Sequence, residues 1–140
     1  MEKQKIKVII KEPYKDAVIK EVIDDLKTIQ SIIDGYLEVV PFPTVKGVDL
    51  IVNEEGKLDK LDGNFFIPHY KDCIVGTCMI AGYNDDGVFI SLTDEQIEKV
   101  KAYIKTFEIS EEYDFYRDFD VLDRMMNRKL KEFDKDTSLC

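Results

Sequence analysis

Residues 73–83 read CIVGTCMIAGY, eleven positions without a charged side chain, and Asn84-Asp85-Asp86-Gly87 follows at once. An apolar run of this length is about half of what a membrane span needs, and between turn residues it reads as a buried central strand. Asn, Asp and Gly tolerate the left-handed backbone of a tight turn, so Asn84–Gly87 marks a hairpin and VFISL (88–92) returns as the partner strand. A buried strand paired through a hairpin makes a sheet the core of the fold, and the remaining segments must extend it or cover it.

IKVIIK (6–11) reads as a short strand ended by Pro13. Val18, Ile19, Val22, Ile23, Leu26, Ile29, Ile32 and Ile33 recur at helical spacing and predict a helix over 15–34, with Gly35 as its left-handed C′ residue. YLEVV (36–40), stopped by PFP (41–43), and VDLIVN (48–53) read as strands, and Glu54-Glu55-Gly56-Lys57 as a turn. Gly63, Asn64 and Pro68 make 59–72 irregular. TDEQ (93–96) is a capping box, with Thr93 as N-cap and Gln96 three residues on, opening a helix that buries Ile97, Val100, Ile104 and Phe107. Ser110 caps a last helix to about Phe133, whose stripe is Phe115, Phe119, Leu122, Met126 and Phe133, with Met125 and Leu130 at its edge. The order β-α-β-β-β-β-α-α predicts an α+β fold: a mostly antiparallel sheet of about five strands with helices on one face. Residues 1–107 are expected to form this domain, and 108–140 a helical extension packed on it or on a partner.

The charge balance narrows the function. A formal net charge of −9 opposes nonspecific binding to nucleic-acid phosphates and favours a basic partner surface. Only Arg117, Arg124 and Arg128 stand against seventeen lysines, which limits bidentate phosphate clamps. No stretch is long and apolar enough to span a membrane, and the charged opening MEKQKIKVIIKEPY lacks a signal peptide's apolar core. Cys73, Cys78 and Cys140, an odd count without scaffold spacing, suit free thiols in a reducing cytoplasm. The expected location is therefore cytoplasmic.

Little in the chain points at catalysis. His69 is the single histidine, and a nucleophile needs a base that is itself oriented by a third group. On one strand, Cys73 and Cys78 fall on opposite faces and cannot share a zinc ion, and their spacing matches no zinc pattern. The acidic pairs Asp85-Asp86 and Asp94-Glu95 have structural uses in a hairpin and at a helix start. The acids at 114, 118, 120 and 123 lack the glycine and closing glutamate of a calcium loop, and no glycine-rich phosphate loop is present. The expectation is a non-enzyme with no catalytic residue, metal or cofactor.

Two binding surfaces stand out. In SEEYDFYRDFDVLDRM (110–125), Glu111, Glu112, Asp114, Asp118 and Asp120 crowd beside Tyr113 and Tyr116, a pattern suited to a basic protein partner. Part of that acidity serves the helix itself: seven acids and one base in 108–123 precede five bases and two acids in 124–135, as the helix macrodipole prefers. The second surface is the polar set Asn53, Glu54, Lys57 and Asn64 near strand ends, which with nearby tyrosines suits a nucleotide; ordinary turn chemistry also accounts for it. The Phe/Met stripe could alternatively join two copies of the chain.

Over residues 6–105, IIDGYLEVVPF (32–42), VDLIVNEEGKL (48–58), Asn64, DCIVGTCMIAG (72–82) and SLTDEQIEKV (91–100) resemble a family of small acidic domains of unknown function. The resemblance is to proteins of phages and mobile elements of low-GC Gram-positive bacteria, and its most specific blocks are NEEGKL and SLTDEQI. Where such proteins tend to read L-P-x-N after NEEGKL, this chain has LDKLDGN (58–64). The resemblance implies no reaction and carries over no catalytic residue. It implies a context in which small acidic proteins act on host immunity. The expected role is to bind and inhibit a host defence protein, such as a CRISPR or other anti-phage component, through the acidic surface. The alternatives are a sponge for a nucleotide immune signal and a homodimeric interaction module.

Overall fold

The computed structural model describes residues Gln4–Ser138. Its frame is a six-stranded antiparallel sheet in which β1 (Lys5–Lys11), β2 (Val18–Ile23), β3 (Leu37–Pro41), β4 (Val48–Asn53) and β7 (Cys78–Tyr83) take the order β2-β1-β7-β4-β3, while β8 (Phe89–Ile90) pairs with β7. A second, two-stranded sheet joins β5 (Gly63–Ile67) to β6 (Asp72–Val75). Three helices complete the fold: α1 (Leu26–Ile33), α2 (Asp94–Phe107) and α3 (Phe119–Ser138). The α+β class and the mostly antiparallel sheet are those the sequence implies.

The run 73–83 is not one strand. Gly76 takes φ +74°, and its N–H donates to the Asp62 carbonyl at 2.7 Å, so the chain turns between Val75 and Cys78. A Cβ at Gly76 would lie 2.7 Å from Leu61 Cδ1, so the site excludes a side chain on two counts. As a result β6 serves the small sheet and β7 the centre of the large one, between β1 and β4. The segment expected to be irregular contains β5, all five residues of which are buried, followed by one 3₁₀ turn, Pro68–Tyr70.

The helix expected over 15–34 is half strand. Val18–Ile23 pairs with β1 along its whole length, from Ile10↔Val18 to Lys5↔Ile23. Four of its six residues are β-branched, and pairing with an existing strand outweighs spacing that a short strand and a helix share. Asp25 then starts α1, accepting the Thr28 N–H at 2.7 Å. Asp34, not Gly35, takes the left-handed cap at φ 59°. Gly35 is instead a point of close approach, where a Cβ would sit 2.6 Å from Asn53 Nδ2.

Alternation along the strands separates two cores. Ile6, Val8, Val22, Ile51, Met79 and Ala81 pack with Ile29 and Ile33 of α1. Ile9, Val48, Leu50, Val52, Cys78 and Ile80 face the other way, into a core closed by the small sheet, α2 and α3. The helices therefore lie on both faces of the main sheet, not on one. The capping box of α2 forms in full: Thr93 Oγ1 accepts the Gln96 N–H at 3.1 Å and Gln96 Oε1 accepts the Thr93 N–H at 3.0 Å. Ile97, Val100, Ile104 and Phe107 are buried as expected, together with Tyr103.

The last helix begins at Phe119, not at 111, because acidic side chains claim the preceding backbone. Asp114 Oδ1 accepts the N–H groups of Tyr116 and Arg117, both at 2.9 Å, and Asp118 Oδ2 accepts that of Asp114 at 2.9 Å. The first helical bond runs from Leu122 N–H to the Asp118 carbonyl at 3.0 Å. Leu122 and Met126 enter the core, and Phe133 packs on Tyr103 and Phe107 at 5.3 and 5.5 Å between ring centroids. The stripe is thus covered by its own chain, except that Phe119 is 44% exposed.

Candidate functional site

The acidic residues of the 110–118 turns have unequal duties, and Glu111 shares a hollow with Tyr14, Lys15, Lys105 and Lys129. Asp114 and Asp118 hold the turns, and Asp118 also pairs with Arg117, whose guanidinium holds that carboxyl below the usual range. Tyr113 is half-buried against the core, while Glu111, Glu112 and Asp120 are exposed. Tyr116 is 41% exposed and donates its hydroxyl to the Leu61 carbonyl at 2.7 Å, tying the acidic turns to the 54–62 turn. Burial, then Cys73, Asp62 and Asp114, push the Tyr116 hydroxyl above its ordinary value. Burial, then Asp62, Asp114 and Glu111, do the same to Tyr14. Three separate segments thus converge: Tyr14 after β1, Asp62 before β5, and the 111–116 turns. Tyr14 and Asp62 were not legible as part of this patch, since nothing local relates them to residue 114.

Beside the patch lies a two-lobed cleft. The larger lobe, about 380 Å³, has a floor of Phe66, Phe115, Phe119 and Met126 and a rim bearing Lys71, Asp123 and Asn127. The smaller, about 230 Å³, runs between the two sheets along Glu38, Val40, Val52, Ile67 and Ile74. Lys57, Asp72 and Cys73 line both lobes, and the Lys57 ammonium pairs with the Asp72 carboxylate where they meet. Of the expected nucleotide set, Asn53, Glu54 and Lys57 line the smaller lobe. The Asn53 amide is committed, donating to the Asp34 carbonyl at 3.1 Å and accepting the Glu55 N–H at 2.8 Å.

Asn64 is elsewhere. It is buried, accepts from the Lys11 ammonium at 3.0 Å, and donates to the carbonyls of Lys11 and Gly76, both at 2.8 Å. Lys11 is equally buried; it also donates to the Glu12 carbonyl at 2.8 Å, and Glu108 lies 4.0 Å away. Desolvation lowers the Lys11 pKa against the raising effect of Glu108. This network sits between the sheets and serves the fold.

The reactive residue types are also held in place. His69 Nδ1 lies 2.9 Å from the Tyr103 hydroxyl and Nε2 2.8 Å from Asp134, joining α2, the 3₁₀ turn and α3. Burial pushes the Cys73 thiol up and the Cys78 thiol up to about 12, so both stay protonated and poorly nucleophilic. Cys73 and Cys78 belong to different sheets, and Cys140 lies outside the described residues. Among the described residues, no three His, Cys, Asp or Glu side chains are grouped to hold a metal ion, and no helix is long and apolar enough to cross a membrane.

No curated protein and no solved structure matches this chain. A family model does, over residues 6–108, which takes in both sheets, α1 and α2 but not the acidic turns beyond 108 or α3. On that match the chain belongs to the family of the domain of unknown function DUF3846.

Proposed function

We propose that the protein is a non-enzymatic binding protein that takes a basic surface of a protein partner on the patch around Tyr14 and Tyr116. The observation that carries this reading is the meeting of segments far apart in sequence: Tyr116 bonds the Leu61 carbonyl next to Asp62, Tyr14 and Glu111 line one hollow, and Asp62 and Asp114 act on both tyrosines. Acidic side chains around aromatic rings give an interface both electrostatic steering and desolvated contact area. The buried thiols and the engaged histidine agree with a role that needs no nucleophile. The finer reading is inhibition of a host anti-phage component in the cytoplasm, and it rests on the resemblance to mobile-element proteins.

The test is capture of the partner from a lysate of bacteria carrying defence systems, with Glu111, Glu112 and Asp120 all changed to lysine. These three are exposed, whereas reversing Asp114 or Asp118 would break the turns and confuse unfolding with lost binding. Binding should fall about tenfold or more while the melting midpoint moves little. Undiminished capture by a folded triple variant would overturn the reading.

A second reading, sequestration of a nucleotide signal, has the placement of Asn53, Glu54 and Lys57 in one lobe behind it. Native mass spectrometry of the desalted protein separates the two readings. A small added mass favours the sponge, and a retained protein favours the inhibitor.

A further inference from the structure

The larger lobe is in contact with the acidic patch through the chain itself. Phe115 and Phe119 form part of its floor, and Tyr116 between them stacks edge-on to Phe115 at 5.0 Å between centroids. The three phenylalanines are packed on one another: Phe66–Phe115 at 5.9 Å, Phe66–Phe119 at 6.3 Å and Phe115–Phe119 at 5.6 Å. Rings this close leave no space for an ammonium among them, so they make a floor and not a cage for a cation. A compact anion is poorly served too, because Lys57 is already paired with Asp72 and Asp123 stands on the same rim as Lys71. The floor offers apolar surface, open to solvent where Phe119 is 44% exposed.

We propose that this lobe seats one large apolar side chain of the partner, an aliphatic or aromatic anchor that has lysine or arginine beside it in sequence. The inference rests on the partner-binding reading and adds what the partner's contact segment must contain. Charge complementarity selects the occupant: Asp114 and Asp120 adjoin Phe115 and Phe119 in the chain and Asp123 stands on the rim itself, so the anchor's neighbours meet carboxylates. An apolar side chain buried in a pocket and ringed by polar contacts is where binding energy concentrates in interfaces. The basic neighbours add steering and register.

Selection of random heptapeptides displayed against the immobilised full chain tests this. The expected result is enrichment of peptides with one Leu, Ile, Met, Phe or Trp beside Lys or Arg. A synthetic representative with Trp as anchor is then titrated; this chain has no tryptophan, so a blue shift of the peptide's emission reports entry into the lobe. Affinity should drop about tenfold with Phe119→Ser and again with Asn127→Arg, which narrows the lobe from an exposed rim position. Asn127→Arg leaves the core untouched and should not move the melting midpoint. Phe119→Ser uncovers part of Phe66 and Phe115 and should lower it modestly while the chain stays folded, so the titration is run well below that midpoint.

Enrichment of basic peptides with no apolar anchor overturns the inference and leaves the acidic patch standing. Anchors without basic neighbours, or a selected peptide indifferent to Phe119→Ser and Asn127→Arg, also overturn it. So does a nucleotide that raises the melting midpoint of the parent chain and not of Lys71→Ala. Absence of any enrichment overturns it as well, and the charge-reversed triple variant then shows separately whether the patch reading has failed with it.

Discussion

The Asn64 carboxamide is used at both ends, accepting from Lys11 and donating to two carbonyls. Asn64→Leu would leave those carbonyls and part of the ammonium without partners, and should cost about 2–3 kcal/mol in urea unfolding. The double variant Lys11→Met/Asn64→Leu removes the charge together with its partner and should cost less than the sum of the two single losses; additive losses would refute this account of the network. The thiols predict a pH dependence. Cys78 has an ordinary pKa of 9.0 and a folded one of about 12, raised by burial, so the folded state keeps a proton that the unfolded state releases. Its stabilising contribution is full below pH 9 and is lost as pH rises towards 12. Cys73 and Tyr103 act in the same direction, and Lys11, lowered by burial, acts in the opposite one. Cys78→Val should therefore make the fall in unfolding free energy between about pH 8 and about pH 10 shallower without abolishing it. Asn64 reads in sequence as a ligand residue because its burial depends on β5, a strand hidden between Gly63 and Pro68. The burial of the thiols and the anchoring of His69 were not legible, because they depend on segments far away in sequence.

Among the elements, α3 is fastened near its end by the His69 imidazole together with Phe133, which packs on Tyr103 and Phe107. His69 bonds Tyr103 on α2 and Asp134 on α3, and Phe133 packs against the His69 ring at 5.8 Å between centroids. His69→Ala should speed amide exchange over about residues 128–135 while leaving the first turns of α3 and all of α2 protected. Uniform loss of protection would mean that α3 docks as one unit. Elements with local signals were legible: the capping box of α2, the 84–87 hairpin turn and the strand at 48–53. Those decided by distant partners were not. Val18–Ile23 satisfies helical spacing, yet β1 recruits it as an edge strand. The acidic turns look like a helix start until Asp114 and Asp118 are seen to bond the backbone. In both cases a competing hydrogen-bond partner overrides a periodicity that is real but short.

On the scale of the whole molecule, a net charge of −9 would make association with the proposed basic partner a long-range process. The association rate should fall about tenfold between low and physiological salt, with a smaller change in dissociation; the reverse would place the energy in the apolar lobe alone. The division of the main sheet into two cores was legible only in part, since strand alternation shows two apolar faces but not which helix covers which. The Lys57–Asp72 pair carries a further consequence. It lines both lobes, so an occupant of one lobe that drew Lys57 towards itself would bare the Asp72 carboxylate to the other. Such coupling is reciprocal, and a ligand that favours its neighbour's binding by some factor is favoured by that neighbour to the same degree.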